Sequence, residues 1–184
     1  MSRIYVYAIC KNEAKFAARW AASMSEADGV YALDTGSTDG TPEILRAQGV
    51  HVQEAVITPW RFDTARNRSL SLVPEDADLC VCTDLDERFQ RGWRQAMEQA
   101  LASGAKQLRY RYAWSFLPDG REGCVFWIEK AHARFGFRWV HPVHEVLEYE
   151  DGVCIRADAP GVQLDHHPDP EKSRAQYLPL LELA

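Results

Sequence analysis

Asp84-Leu85-Asp86 places two carboxylates one residue apart, directly after the apolar run Leu79-Cys80-Val81-Cys82. At the end of a buried strand, alternation turns residues i and i+2 to one side, and two hard oxygen ligands there suit Mg²⁺ or Mn²⁺ bridging a diphosphate. Paired acids are also common in exposed turns, so the assignment depends on what stands upstream.

Upstream, Ile4-Tyr5-Val6-Tyr7-Ala8-Ile9-Cys10 reads as a strand, and Lys11-Asn12-Glu13 follows it. Phe16, Ala17, Trp20, Ala21 and Met24 then recur at helical spacing. A second strand, Val30-Tyr31-Ala32-Leu33-Asp34, runs into the turn-rich Thr35-Gly36-Ser37-Thr38-Asp39-Gly40. Thr41 as N-cap, Pro42 at the first helical position and Glu43 in the first turn predict a helix start. The alternation continues through a strand near Val50–Ala55, a helix from about Asp63 and the strand before Asp84. This order predicts an α/β fold: a largely parallel sheet, helices on both faces, right-handed crossovers and ligands at the carboxyl ends of the strands. Asn12, Asp34 and Asp84 all fall at such ends.

Asn12-Glu13, the stretch from Leu33 to Thr41, Ala65-Arg66-Asn67 and Asp84-x-Asp86 resemble, in order and separation, the nucleotide-binding motifs of family 2 glycosyltransferases with the GT-A (Rossmann-like) fold. The resemblance covers about the first half of the chain. It implies a metal-dependent, inverting transferase that moves a sugar from a nucleoside diphosphate donor, UDP first, to a hydroxyl-bearing glycan, lipid or peptide acceptor. By the same resemblance Asp34 meets the pyrimidine base, Asn12 and Glu13 contact the nucleotide, and Arg66 offers a planar fork to base, ribose or phosphate. Asp84 would touch ribose or metal, and Asp86 would ligate Mn²⁺ or Mg²⁺ directly. Thr35 departs from the family's frequent second aspartate.

The histidines gather late, at 132, 141, 144, 166 and 167, with His51 alone in the first half. Val143-His144-Glu145 resembles the Val-His-Glu segment of family members that modify lipopolysaccharide core or peptides. Glu145 is the candidate base; the family's usual acidic dyad is not evident between residues 110 and 130, where the acids are Asp119, Glu122 and Glu129. Leu164-Asp165-His166-His167 resembles the loop from which GT-A enzymes present a third metal ligand, and His166 is the preferred donor.

After a helix with Trp93, Met97, Ala100 and Leu101, ending near Gly104, the pattern becomes antiparallel β. Pro118-Asp119-Gly120 marks one hairpin turn, and Asp151-Gly152 is expected to pair residues 146–149 with 153–155. One domain is therefore expected, with residues 1–104 as its nucleotide-binding half and 105–184 as its acceptor side. At 184 residues and 46% hydrophobic, the chain buries enough surface to fold without disulfide or structural metal. A net charge of -6 without a basic stripe argues against nucleic acid as the main partner.

The five cysteines have no scaffold spacing, and Cys80 and Cys82 read as small buried hydrophobes. Trp60, Trp114, Trp127 and Trp139 read mostly as core. With no apolar run of membrane-spanning length and no cleavable leader, the reading is a cytoplasmic protein. Asp169-Pro170 predicts a last helix, and the apolar Leu178–Leu183 tail implies packing on the domain, on a second copy as a homo-dimer, or on a C-terminal extension. A GT-A-like nucleotidyltransferase would use the same paired acids but usually carries a glycine-rich phosphate loop, which Ala8–Asn12 lacks. A non-catalytic sugar-nucleotide or glycan-binding module is the other alternative.

Overall fold

The computed structural model describes residues 1–170 and residue 181. Elements follow in the order β1 (Ile4–Cys10), α1 (Ala14–Ser23), β2 (Gly29–Asp34), α2 (Thr41–Ala47), β3 (His51–Glu54), α3 (Phe62–Leu70) and β4 (Leu79–Thr83). The chain continues through β5 (Glu87–Phe89), α4 (Trp93–Leu101), β6 (Gln107–Ala113), β7 (Val125–His132), β8 (Phe137–Val140), β9 (Val146–Tyr149) and β10 (Arg156–His166). The expected last helix and the apolar tail lie outside the described residues, apart from Leu181.

An eight-stranded sheet in the order β3-β2-β1-β4-β7-β6-β10-β5 forms the frame. β3, β2, β1 and β4 run parallel, β7 turns antiparallel between β4 and β6, and β10 returns parallel to β6. The mostly parallel sheet with flanking helices is the expected GT-A architecture. β1 and β4 are central, so they read as almost continuous apolar runs. Alternate residues of β1 feed two cores: Ile4, Val6 and Ala8 meet α1 and α4 on one face, while Tyr7 joins Leu70, Cys80, Cys82 and Trp139 on the other. Trp20, fully buried on α1, satisfies its indole N–H on Thr83 Oγ1 at 3.0 Å.

Three expectations are corrected. Thr41 is the first helical residue rather than the N-cap of α2; Gly40 takes that place at φ 85°, in the left-handed region where a glycine fits without strain. The Thr41 hydroxyl is instead spent between Asp39 and the Glu13 amide. β9 pairs with β8, Phe137 opposite Tyr149 and Val140 opposite Val146, and not with 153–155. Trp139 supplies the reason, because burying it against Tyr7 commits β8 to the underside of the sheet, where β9 is its neighbour. Val153 and Ile155 stay exposed and Cys154 half-buried while β10 is taken by β6. Among the tryptophans Trp139 is core, but Trp60 is half-buried, and Trp114 and Trp127 are about two-fifths exposed, at 42% and 43%.

Candidate active site

The carboxyl ends of β1 and β2 carry the first cluster. Asn12, in a left-handed conformation at φ 55°, donates its amide to Ser37 Oγ and accepts the Thr38 amide on Oδ1, each at 2.8 Å. Glu13 caps α1, its carbonyl accepting the Phe16 amide at 2.9 Å. Asp34 is 1% exposed; its Oδ1 accepts the amides of Gly36 (2.9 Å) and Ser37 (2.8 Å), and its Oδ2 accepts the Ser37 hydroxyl. Asp39 braces the same loop by accepting the Ala14 amide at 3.0 Å. These residues build one rigid loop, and Asp34 is its hub.

The second cluster surrounds Asp84. Arg66 projects from α3 with Nη2 3.0 Å from Asp84 Oδ1, Nε 2.5 Å from Glu145 Oε1 and Nη1 3.2 Å from Cys82 Sγ, its guanidinium 5.2 Å from the Trp139 ring. Lys130 Nζ bonds Asp84 Oδ2 at 3.0 Å and Glu87 Oε1 at 2.7 Å, and the Tyr112 hydroxyl donates to the same Glu87 oxygen at 2.7 Å. Burial alone would raise the Asp84 carboxyl, but Arg66 and Lys130 overcome it and hold the group well below the usual carboxylate range. Burial pushes Glu87 up, with the Asp84 charge adding to it against the pull of Lys130.

Asn67, next to Arg66, donates Nδ2 to the Trp139 carbonyl and accepts the Trp139 amide, at 2.8 and 2.9 Å. The Phe62 amide is taken by the Pro142 carbonyl at 3.0 Å. The Ala65-Arg66-Asn67 motif thus clamps the β8–β9 hairpin while gripping the glutamate that follows its loop.

Asp86 belongs to a third cluster. Its Oδ2 stands 3.3 Å from His166 Nε2, and its carbonyl accepts the His167 amide at 2.8 Å. His166 Nδ1 lies 3.0 Å from the Trp114 carbonyl, and its ring stacks on the Trp114 indole at 4.4 Å. A carbonyl only accepts, so the Nδ1 proton is fixed there and Nε2 faces Asp86. Burial would lower His166, yet Asp86 and the Trp114 carbonyl raise it above its ordinary value.

Two atoms with lone pairs aimed at each other require a proton or a cation between them. Asp84 does not complete a three-ligand set with Asp86 and His166, since both its oxygens are held by Arg66 and Lys130. Among the described residues no group of three or more His, Cys, Asp or Glu side chains could hold a metal. Asp86 and His166 nonetheless fit a hard cation completed by ligand oxygens and water, the usual arrangement for Mg²⁺ on a phosphate substrate.

Glu145 lines a cavity of about 260 Å³ with Arg66, Lys130, Trp139 and Val146. Sequence reasoning missed Glu87 and Lys130. Glu87 immediately follows Asp86, and Lys130 is a lone cation in a largely apolar strand; neither signal shows that a β-bulge near Glu129 and Lys130 interrupts the β6–β7 register beside Asp84. His132 is structural: the Tyr7 hydroxyl lies 2.8 Å from Nε2, the Ala133 carbonyl 2.8 Å from Nδ1, and burial lowers its pKa to about 4.

No helix among the described residues is long and apolar enough to cross a membrane. No protein-family model matches the chain. A TPR repeat-containing protein of Synechococcus elongatus is 25% identical over 175 residues, covering 92% of this chain. The chain spans 41% of that relative's length. A mycobacterial protein of known structure aligns over 92% of this chain and 69% of its own with a TM-score of 0.61 at 18% identity. Residues 1–349 of S. aureus TarS, solved in complex with UDP, align over 67% of this chain and 38% of that one with a TM-score of 0.53 at 16% identity. At these identities the likeness is one of fold, and it agrees with the GT-A sheet described above.

Proposed function

We propose that the protein is a glycosyltransferase that moves a sugar from a nucleoside diphosphate donor, UDP by preference, to a hydroxyl of a glycan, lipid or peptide, with Mn²⁺ or Mg²⁺ as cofactor. The observation that carries this reading is the Asp86–His166 pair at the carboxyl edge of a GT-A sheet, its imidazole fixed by the Trp114 carbonyl. TarS, which shares the fold, binds UDP.

In this reading Asp86 and His166 would hold the ion. When bound, the ion neutralises charge on the departing diphosphate. Asp34, Asn12 and Glu13 shape the loop that receives the base and ribose. Asp84 is a positioning residue that orients Arg66 and Lys130 toward the nucleotide. The acceptor oxygen bonds to the anomeric carbon as the carbon–oxygen bond to the diphosphate breaks, and the electron pair leaves with the diphosphate. The acceptor's proton passes to Glu145, whose Oε1 is tied to Arg66 and whose side chain borders the cavity. A single displacement of this kind inverts the anomeric centre.

The test incubates the protein with UDP-glucose and UDP-N-acetylglucosamine, with and without Mn²⁺, and measures released UDP. Mn²⁺-dependent release from at least one UDP-sugar is expected. Binding of UDP-sugars without release from either would contradict transfer and favour the binding-module alternative.

A further inference from the structure

Beside the Asp86–His166 pair lie shielded polar atoms, two guanidinium donors and an imidazole nitrogen, that find no partner among the described residues. Arg19 on α1 has Nε and Nη2 shielded from water with no hydrogen-bond partner, and His167 has a shielded, unpartnered Nε2. A buried guanidinium N–H without an acceptor is costly, and such a group in a folded protein calls for an explanation.

Several contacts bring these groups to one place. Lys15 and Arg19, one helical turn apart, both lie 5.2 Å from the Phe16 ring, and Lys15 pairs with Asp169, two residues beyond His167. His167 is pinned by its amide to the Asp86 carbonyl and stacks on Phe116 at 5.0 Å. Arg88, two residues after Asp86, is half-exposed and reaches Asp165 only at 3.5 Å. Arg19 feels the charges of both Arg88 and Asp86, and His167 feels both arginines. Asp86 and Asp165 offset the two like charges but leave Arg19 Nε and Nη2 without an acceptor, and arginine has no lone pair to offer. The partner must therefore bring several acceptor oxygens, as a phosphate does.

We propose that Arg19, His167 and Arg88 form a phosphate seat beside the Asp86–His166 pair, contacting a phosphate of the donor directly and without the metal. The identity of the phosphate's bearer rests on the transferase reading, but the seat itself does not.

Calorimetry in EDTA with inorganic pyrophosphate, UDP and uridine separates the two. The wild-type chain is expected to bind pyrophosphate and UDP, and Arg19→Gln to weaken both about ten- to a hundredfold while leaving uridine unchanged, the scale of lost charge-assisted hydrogen bonds. Arg88→Gln, at a more exposed site, should give a smaller loss of the same pattern, and Arg19→Lys should recover part of it. Because Arg19 Nε and Nη2 make no hydrogen bond among the described residues, ligand-free Arg19→Gln should lose little beyond the contact with the Phe16 ring. Unchanged pyrophosphate and UDP affinity in Arg19→Gln would overturn the seat. Arg19-dependent pyrophosphate binding in a protein that turns over no UDP-sugar would keep the seat and remove the transferase reading. Turnover by wild type with pyrophosphate affinity unmoved in Arg19→Gln would do the reverse.

Discussion

Asp84 and Asp86, one residue apart, meet positive charge of two different kinds. Asp84 is matched by permanent cations on both oxygens, Arg66 from α3 and Lys130 from β7, and these carry on to Glu145 and Glu87. Asp86 faces an imidazole whose charge depends on pH, and the proton between them occupies the place a metal ion would take. An Asp-x-Asp motif can thus divide its labour: one carboxylate locks the cations and the hairpin that surround the site, and the other is left available for the ion. The division follows from the turn after β4, where the Glu87 amide bonds the Asp84 carbonyl at 3.0 Å and strand alternation no longer sets where the two acids point.

The largest effect should come from Asp84→Asn. It leaves Arg66 and Lys130 facing one charge fewer, and we expect a loss of about 3 kcal/mol in denaturant unfolding, the low end for breaking a buried pair because a third of the Asp84 side chain, 33%, stays in water. Asp86→Asn in the same assay should cost under about 1 kcal/mol; equal losses would break the comparison.

A smaller effect should follow pH in the metal-free protein. His166 has its folded pKa raised above 6.5, so stability from its pairing is complete below the ordinary value and is lost as pH rises through the higher folded one. Melting temperature should fall across that window in wild type and less in His166→Gln; identical slopes would place the proton elsewhere. The smallest stability effect is expected from Glu145→Gln, under about 1 kcal/mol, since the amide oxygen still accepts the Arg66 Nε–H. Transfer should nevertheless drop by about 10²–10⁴ if Glu145 takes the acceptor's proton.

What could be read from the sequence follows physical range. β1, α1, β2 and β4 were legible because each declares itself locally, by continuous apolar runs or 3.6-residue spacing. The strand ends then located Asn12, Asp34 and Asp84 without knowledge of pairing. β9 was misassigned because its partner is chosen by where Trp139 is buried, a long-range fact, while the Asp151-Gly152 turn advertised a nearer one. Lys130 and Glu87 stayed hidden because a bulge and a tight turn, not a period, bring them to Asp84. Asp34 was placed at the right strand end, but its carboxylate is spent on its own loop, a use that its position alone does not disclose.

The central claim is that Asp86 and His166, not Asp84, seat a cation completed by the nucleotide. UDP titrations by calorimetry with and without Mn²⁺, on wild type and Asp86→Asn, test it most directly. The account predicts that Mn²⁺ strengthens UDP binding at least about tenfold in wild type, equivalent to 1.4 kcal/mol, and that this gain vanishes in Asp86→Asn while metal-free UDP binding persists. The same Mn²⁺-dependent gain in the variant as in wild type would contradict it.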